Sequence, residues 1–345
     1  MITQEDFGTT QSGSNVQKFI FSNNNGYSIH LLSYGLSIQK IIYPDNQDIA
    51  LGFDTISEYE TDPYYIGKII GRNANRLSNG SILINQKEIQ LSQNENNKQL
   101  HGGHHGFDTK NWNCEIINFE DKDVLIATYT SKDLEEGYPG ELKVTVSFEL
   151  TNKNTLEMSY TATTSKTTVV NLTRHDYFNL KDGGISDIKD HLIKINADQY
   201  TVNNTENLPT GEIKTTKDTA LHFNTATKIN ENIAKDPDNL IMGYDHNYII
   251  KKNNNNEVSL AGTAIDPNSK RQLEVYSSQP GLQFYTAAYL NQVKGKNNII
   301  YNGFHGFCFE GQHFPDATKH KHFDSTILRP QQTYTQKLIY KFSTK

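Results

Sequence analysis

The chain has 345 residues, with 33 Lys and Arg against 39 Asp and Glu, for a formal net charge of -6. That balance, with no basic stripe, excludes a nucleic-acid-binding footprint, and no apolar run approaches the roughly 20 residues that a membrane span needs. Only 35% of residues are hydrophobic, yet 19 Tyr and 16 Phe supply the aromatic surface of a folded core rather than a disordered chain.

From the N-terminus, residues 1–8 carry neither the basic start nor the apolar h-region of a secretory leader. Two cysteines, Cys114 and Cys308, cannot frame a chain of this length. A reducing, cytoplasmic setting with both thiols free is therefore expected. The Asn-rich stretch 23–26 reads as a tight turn, and helical signal is scarce. Its best stretch, 57–68, is interrupted by Pro63 and predicts a short helix at most.

Residues 141–150 alternate strictly. Leu142, Val144, Val146, Phe148 and Leu150 fall on one face, and charged or hydroxyl residues fall on the other. That is a strand buried on one side and wet on the other. The pattern recurs at 156–162, 191–197 and 336–342, with turn chemistry at 151–154 and 182–184. The run of four Asn at 253–256, between apolar residues 248–250 and 258–260, reads as a hairpin tip. No long repeat and no compositional break is visible. Many short antiparallel strands predict an all-β chain: one large antiparallel β-sandwich domain over residues 1–345.

Polar and ionisable residues concentrate with Gly between these strands. If 307–310 is a strand, Phe307 and Phe309 face one way while Cys308 and Glu310 face the other. A carboxylate in so apolar a run must be paired, or burial raises its pKa toward what a general base near neutral pH needs. Thr173, His175 and Tyr177 share a face if that run is extended. Histidine serves as acid or base near pH 7, and a neighbouring Asp would hold it protonated as a donor. A carboxylate base with an imidazolium acid suits moving protons on and off hydroxyl oxygens.

The segments, in order, are SYGL at 33–36, YPD at 43–45, GRNANR at 71–76, LHGG at 100–103 and EEGYPG at 135–140. NLTRHDYFNL at 171–180, YDHN at 244–247, QPGLQFYT at 279–286, FEGQ at 309–312, PDA at 315–317 and LRP at 328–330 follow. Together they make the chain resemble the aldose 1-epimerases, or galactose mutarotases, from about residue 19 to the end. The resemblance implies a galactose mutarotase-like sandwich whose cleft binds a free hexose such as galactose or glucose. It implies Glu310 as the base on the C1 hydroxyl and His175 as the acid on the ring oxygen. It places Asn75, Arg76, His101, Asp245 and Gln283 on the sugar hydroxyls, with no metal or organic cofactor, since the chemistry is proton transfer alone. Arg174 and Asp176 flank the histidine where the family commonly carries smaller or uncharged residues, and 286–288 reads Thr-Ala-Ala where Thr-Gly-Asn is common. Both departures are expected near the cleft.

Three other readings compete. A glycoside hydrolase would use Asp245 and Glu310 as a carboxylate pair about 5–9.5 Å apart, leaving His175 idle. A hexose-phosphate epimerase would want clustered cations, where only Arg72 and Arg76 of five arginines are expected beside the cleft. A carbohydrate-binding module would have no use for a matched acid and base. The histidines at 101, 104 and 105 and at 313, 320 and 322 match no usual metal-ligand spacing. Cys308, on the face of Glu310, is expected to be a buried, inert thiol. Nothing in the sequence bears on oligomeric state.

Overall fold

The structure, a computed structural model, describes residues 1–240, 242–254 and 257–345. Its strands form antiparallel sheets of four, nine and five strands with several two-stranded ladders. No helix among the described residues is long and apolar enough to cross a membrane.

The nine-stranded sheet contains most of the alternating segments. Leu142–Leu150 pairs with Thr155–Thr164, which pairs with the C-terminal strand Tyr334–Thr344, and that strand pairs with Arg271–Ser277. Leu142, Val144, Val146 and Phe148 are buried as their period-two spacing requires, while Leu150 at the strand end is half-buried. Gln336, Leu338, Tyr340 and Phe342 repeat the pattern, so the end of the chain sits inside the sheet rather than at its edge.

The five-stranded sheet runs Pro209–Thr215, Gln199–Asn203, Asp245–Ile249, Gly281–Tyr285 and Cys308–Gln312. Residues directly opposite in a ladder project to the same face. Asp245, Tyr285 and Cys308 form one such row, and Asn247, Gln283 and Glu310 form the next. The other face presents Tyr248, Leu282, Phe284 and Phe309 to the large apolar core, which also takes in Val146, Phe148 and Leu338 from the nine-stranded sheet. Phe309 and Glu310 thus face opposite ways, as alternation predicts.

Among the described residues α-helix is confined to three short pieces, and the one expected, Ile56–Glu60, is fixed at its start by Thr55 and Glu58 in a reciprocal capping box. Ile229–Ile233 and Pro237–Leu240 had no periodic signal, being little more than single turns. The hairpin expected around the Asn run is not formed. The strands either side of it, Asp245–Ile249 and Ser259–Ile265, belong to the five- and nine-stranded sheets respectively. Turn residues mark a reversal but not which strands pair. Asn255 and Asn256 themselves lie outside the described residues.

Candidate active site

The polar face of the five-stranded sheet floors a cavity of about 350 Å³ lined by Glu310, His175, His101, Asn75, Arg76 and Asp245, with tyrosines at 64, 65, 177, 285 and 289 on its walls. Six of the seven residues singled out in the sequence therefore converge on it.

His175 reaches this cavity because its segment is tied down on both sides. Thr173 and Arg174 pair with Ile70 and Ile69. The His175 amide donates to Lys68 O at 2.9 Å, and its carbonyl accepts from Gly67. Thr173 Oγ1 donates to Gly311 O, and Phe178 exchanges backbone hydrogen bonds with Phe307. These contacts lock 173–178 against Cys308–Gln312 and leave His175 Nε2 3.8 Å from Glu310 Oε1. Its Nδ1 lies 3.5 Å from Cys308 Sγ.

Both groups are buried, and burial penalises whichever form is charged. It lowers the His175 pKa from 6.5 to about 3, with Arg76 acting in the same direction. It raises the Glu310 carboxyl well above its ordinary value, with the Asp245 charge adding and Arg76 opposing. Glu310 Oε2 has no hydrogen-bond partner among the described residues, although it is buried. Burial thus raises the Glu310 carboxyl in the direction expected from its apolar strand, whereas among the described residues no Asp side chain bonds the His175 ring. Asp176 turns away into the core, where it accepts two hydrogen bonds from Arg174 and one from Tyr340. Neither Arg174 nor Asp176 lines the cavity, nor do residues 286–288, so these departures from the family's usual residues do not touch it.

His101 and Asn75 hold each other. Arg76 pairs with Leu100, and the His101 amide donates to Asn75 O while the Asn75 amide donates to His101 Nδ1, each at 3.2 Å. Gly102 permits the approach: its φ is +92°, and a Cβ there would meet Gly71 O at 2.0 Å. Burial, then the neighbouring His175 and Arg76, push the His101 pKa well down. The ring is therefore neutral, and since Nδ1 accepts, its proton is on Nε2, ready to donate to a hydroxyl.

Arg76 donates bidentately to Glu95, at 2.8 and 2.9 Å, and lies 3.7 Å from Asp245. Gln283 is the exception to the convergence. It does not line the cavity, and its amide donates to Asp245 Oδ1 at 2.6 Å, so it supports the site from beneath. Arg72, expected beside the cleft, is instead buried against the backbone carbonyls of Ser131, Lys132 and Pro139. Its role is to anchor the loop that carries Asn75 and Arg76. Glu95 and Tyr65 line the site but gave no sequence signal. Both sit in irregular segments, and Tyr65, with φ of 57°, packs 4.7 Å from the His101 ring. Of the other histidines, His104 bonds Gln93 O, while His320 and His322 pack on Phe323. Among the described residues no three His, Cys, Asp or Glu side chains group as a cation's ligands.

The family model described as aldose 1-epimerase matches residues 17–341. The galactose mutarotase of Sus scrofa is 35% identical over 348 aligned residues, spanning 99% of this chain and 98% of that protein. The aldose 1-epimerase of Escherichia coli K12 is 32% identical, over 93% of each. Among solved structures, an aldose epimerase homologue from C. elegans superposes with a TM-score of 0.86 at 27% identity, covering 94% of this chain and 98% of the other. A galactose 1-epimerase from Lactobacillus acidophilus matches in fold, with a TM-score of 0.87 at 24% identity over 100% and 99%.

Proposed function

The chain belongs to the aldose 1-epimerase family and is a mutarotase, and on that premise we propose that Glu310 and His175 carry its two proton transfers. The observation that supports this division is the 3.8 Å between His175 Nε2 and Glu310 Oε1 on the cavity floor. Anomerisation moves a proton off one oxygen and onto another, and both oxygens are bonded to the same carbon. Acid and base must therefore stand close together, as these two do.

Glu310 takes the proton of the C1 hydroxyl while His175 Nε2–H gives one to the ring oxygen. The C1–ring-oxygen bond breaks, leaving an aldehyde. Rotation about C1–C2 and reversal of both transfers give the other anomer. Burial favours the neutral pair, a Glu310 carboxylic acid beside a neutral His175. The reacting carboxylate–imidazolium pair holds the same number of protons, so shifting one proton from Glu310 to His175 Nε2 forms it, and ring opening returns both groups to neutral. Burial, which opposes both charges, thereby makes Glu310 a stronger base and His175 a stronger acid than either would be in water.

Asn75, Arg76, His101 and Asp245 hold the remaining hydroxyls, with Gln283 fixing Asp245. Fixed donors and acceptors suit a polyhydroxylated ligand. A free rather than phosphorylated hexose fits the lining, which includes Glu95, Glu206, Asp245 and Glu310 against Arg76, whose guanidinium Glu95 already engages. A phosphate would meet more negative than positive charge.

Polarimetry on freshly dissolved α-D-galactose and α-D-glucose tests this reading. Faster approach to the uncatalysed final rotation is expected with the parent enzyme, and its loss in both Glu310→Gln and His175→Asn. Near-parental turnover in either variant removes that residue from the mechanism.

A further inference from the structure

The nitrogen of His175 that does not face Glu310 has an unusual neighbour. In proteins that use histidine as acid or base, that nitrogen commonly donates to a carboxylate or a backbone carbonyl. Here Cys308 Sγ lies 3.5 Å from Nδ1 and is the one hydrogen-bonding partner that the described residues give this ring. The ring's other surroundings are Tyr65, Tyr177 and Tyr285, the His101 ring at 5.2 Å and Glu310 on the Nε2 side. The charge of Arg76 also reaches it. Cys308 is fully buried, and burial keeps it a thiol.

Placement of this thiol follows from the register. Cys308 and Glu310 stand two residues apart on one strand, so both project to the polar face of the sheet. One strand thus brings the proposed base to one side of the imidazole and a sulfur to the other. Resting on the reading of His175 as the acid, we propose that Cys308 is a positioning residue for it. Its sulfur holds the ring at Nδ1 and so aims Nε2 at the sugar's ring oxygen.

The choice of sulfur has a consequence. His175 is an imidazolium before ring opening and a neutral ring afterwards, and it gives up its Nε2 proton in between. Nδ1 keeps its proton throughout and can donate to Sγ in both states. A thiol is a weak acceptor without charge. It orients the ring yet gives the imidazolium little of the stabilisation that a carboxylate would, so the ring remains a strong acid. An Asp in this place would hold the proton back.

The test compares Cys308→Ala, Cys308→Ser and His175→Asn with the parent, using anomerisation of galactose followed by polarimetry and melting temperature as the check on folding. Cys308→Ala is expected to lower kcat about three- to tenfold, the factor that one ordinary hydrogen bond represents, with KM within about twofold. Cys308→Ser, which restores an acceptor at Nδ1, is expected to return within about threefold of the parent kcat. A purely packing role predicts the opposite order, since a hydroxyl suits an apolar pocket worse than a methyl does. Serine no better than alanine, or alanine with parental kcat, overturns the proposal. His175→Asn separates this from the reading beneath it. If that variant stays active, His175 is not the acid and the role of Cys308 falls with it. If it is inactive while Cys308→Ala is not, only the positioning role is lost.

Discussion

Arg174 and Asp176, the sequence neighbours of His175, close a bidentate ion pair beneath it, Nε to Oδ2 and Nη2 to Oδ1 both at 2.7 Å. Both are buried. The guanidinium also donates to the carbonyls of Leu36 and Gly67, and Tyr340 donates to Asp176. The pair therefore clamps the backbone on either side of His175 to the 36–67 region and to the C-terminal strand. Asp176→Asn leaves the buried guanidinium without its counter-charge and is expected to cost about 3–5 kcal/mol of stability. Denaturant unfolding monitored by circular dichroism measures this. A cost below about 1 kcal/mol, typical of a surface pair, would mean that the clamp is not what holds the segment.

Glu310→Gln preserves shape but accepts no proton. Turnover should fall by at least about a hundredfold, while calorimetric titration still detects galactose. Retained binding with lost turnover assigns the carboxylate to the proton transfer. Loss of both would make Glu310 a binding residue.

Stability should depend on pH in opposite senses for the two proposed catalytic groups. The Glu310 carboxyl is raised above 4.5, so between 4.5 and the raised value the folded protein keeps a proton that the unfolded chain releases. Its contribution is complete below 4.5 and is lost as pH rises through the folded value. Glu310→Gln should thus gain melting temperature relative to the parent as pH rises. His175, lowered from 6.5 to about 3, contributes fully above 6.5 and loses that contribution as pH falls toward 3. His175→Asn should accordingly lose less stability than the parent on acidification. Scanning calorimetry across this range checks both, and differences that do not vary with pH contradict the assignments.

Glu95 holds Arg76 through two hydrogen bonds at the cavity wall. In Glu95→Gln the fork loses its charged partner, so KM for galactose is expected to rise about three- to tenfold with a smaller change in kcat. Steady-state kinetics separates the two. A fall in kcat alone would place Glu95 in the chemistry instead.

The residues that do the proposed work were legible in the sequence for a local reason. Alternation states which side chains of a strand share a face, so Glu310 could be set opposite Phe309 and beside Cys308 before any partner strand was known. The burial of Glu310, and with it the raised pKa, followed from its apolar neighbours. Asn75, Arg76, His101 and Asp245 came from the resemblance to the aldose 1-epimerases, and the cavity contains all of them. Gln283 came from the same resemblance and lies behind Asp245, to which its amide donates, because a motif gives no depth.

What sequence left open depends on contacts between distant segments. Alternation does not name a strand's partner, so the Asn run could be read as a hairpin tip although its flanking strands lie in different sheets. A neighbouring Asp would hold His175 protonated, but Asp176 follows it directly, and successive residues of extended chain point to opposite faces. The carboxylate went to Arg174 in the core, and a sulfur from the Cys308–Gln312 strand took its place. Glu95 and Tyr65 sit in irregular loops, where no period constrains side-chain direction and only tertiary packing aims them. The faces of the strands are thus written in a local, period-two code. The pairing of strands, the neighbour at each ring nitrogen and the walls of the cavity are set by long-range packing, for which the sequence carries no period.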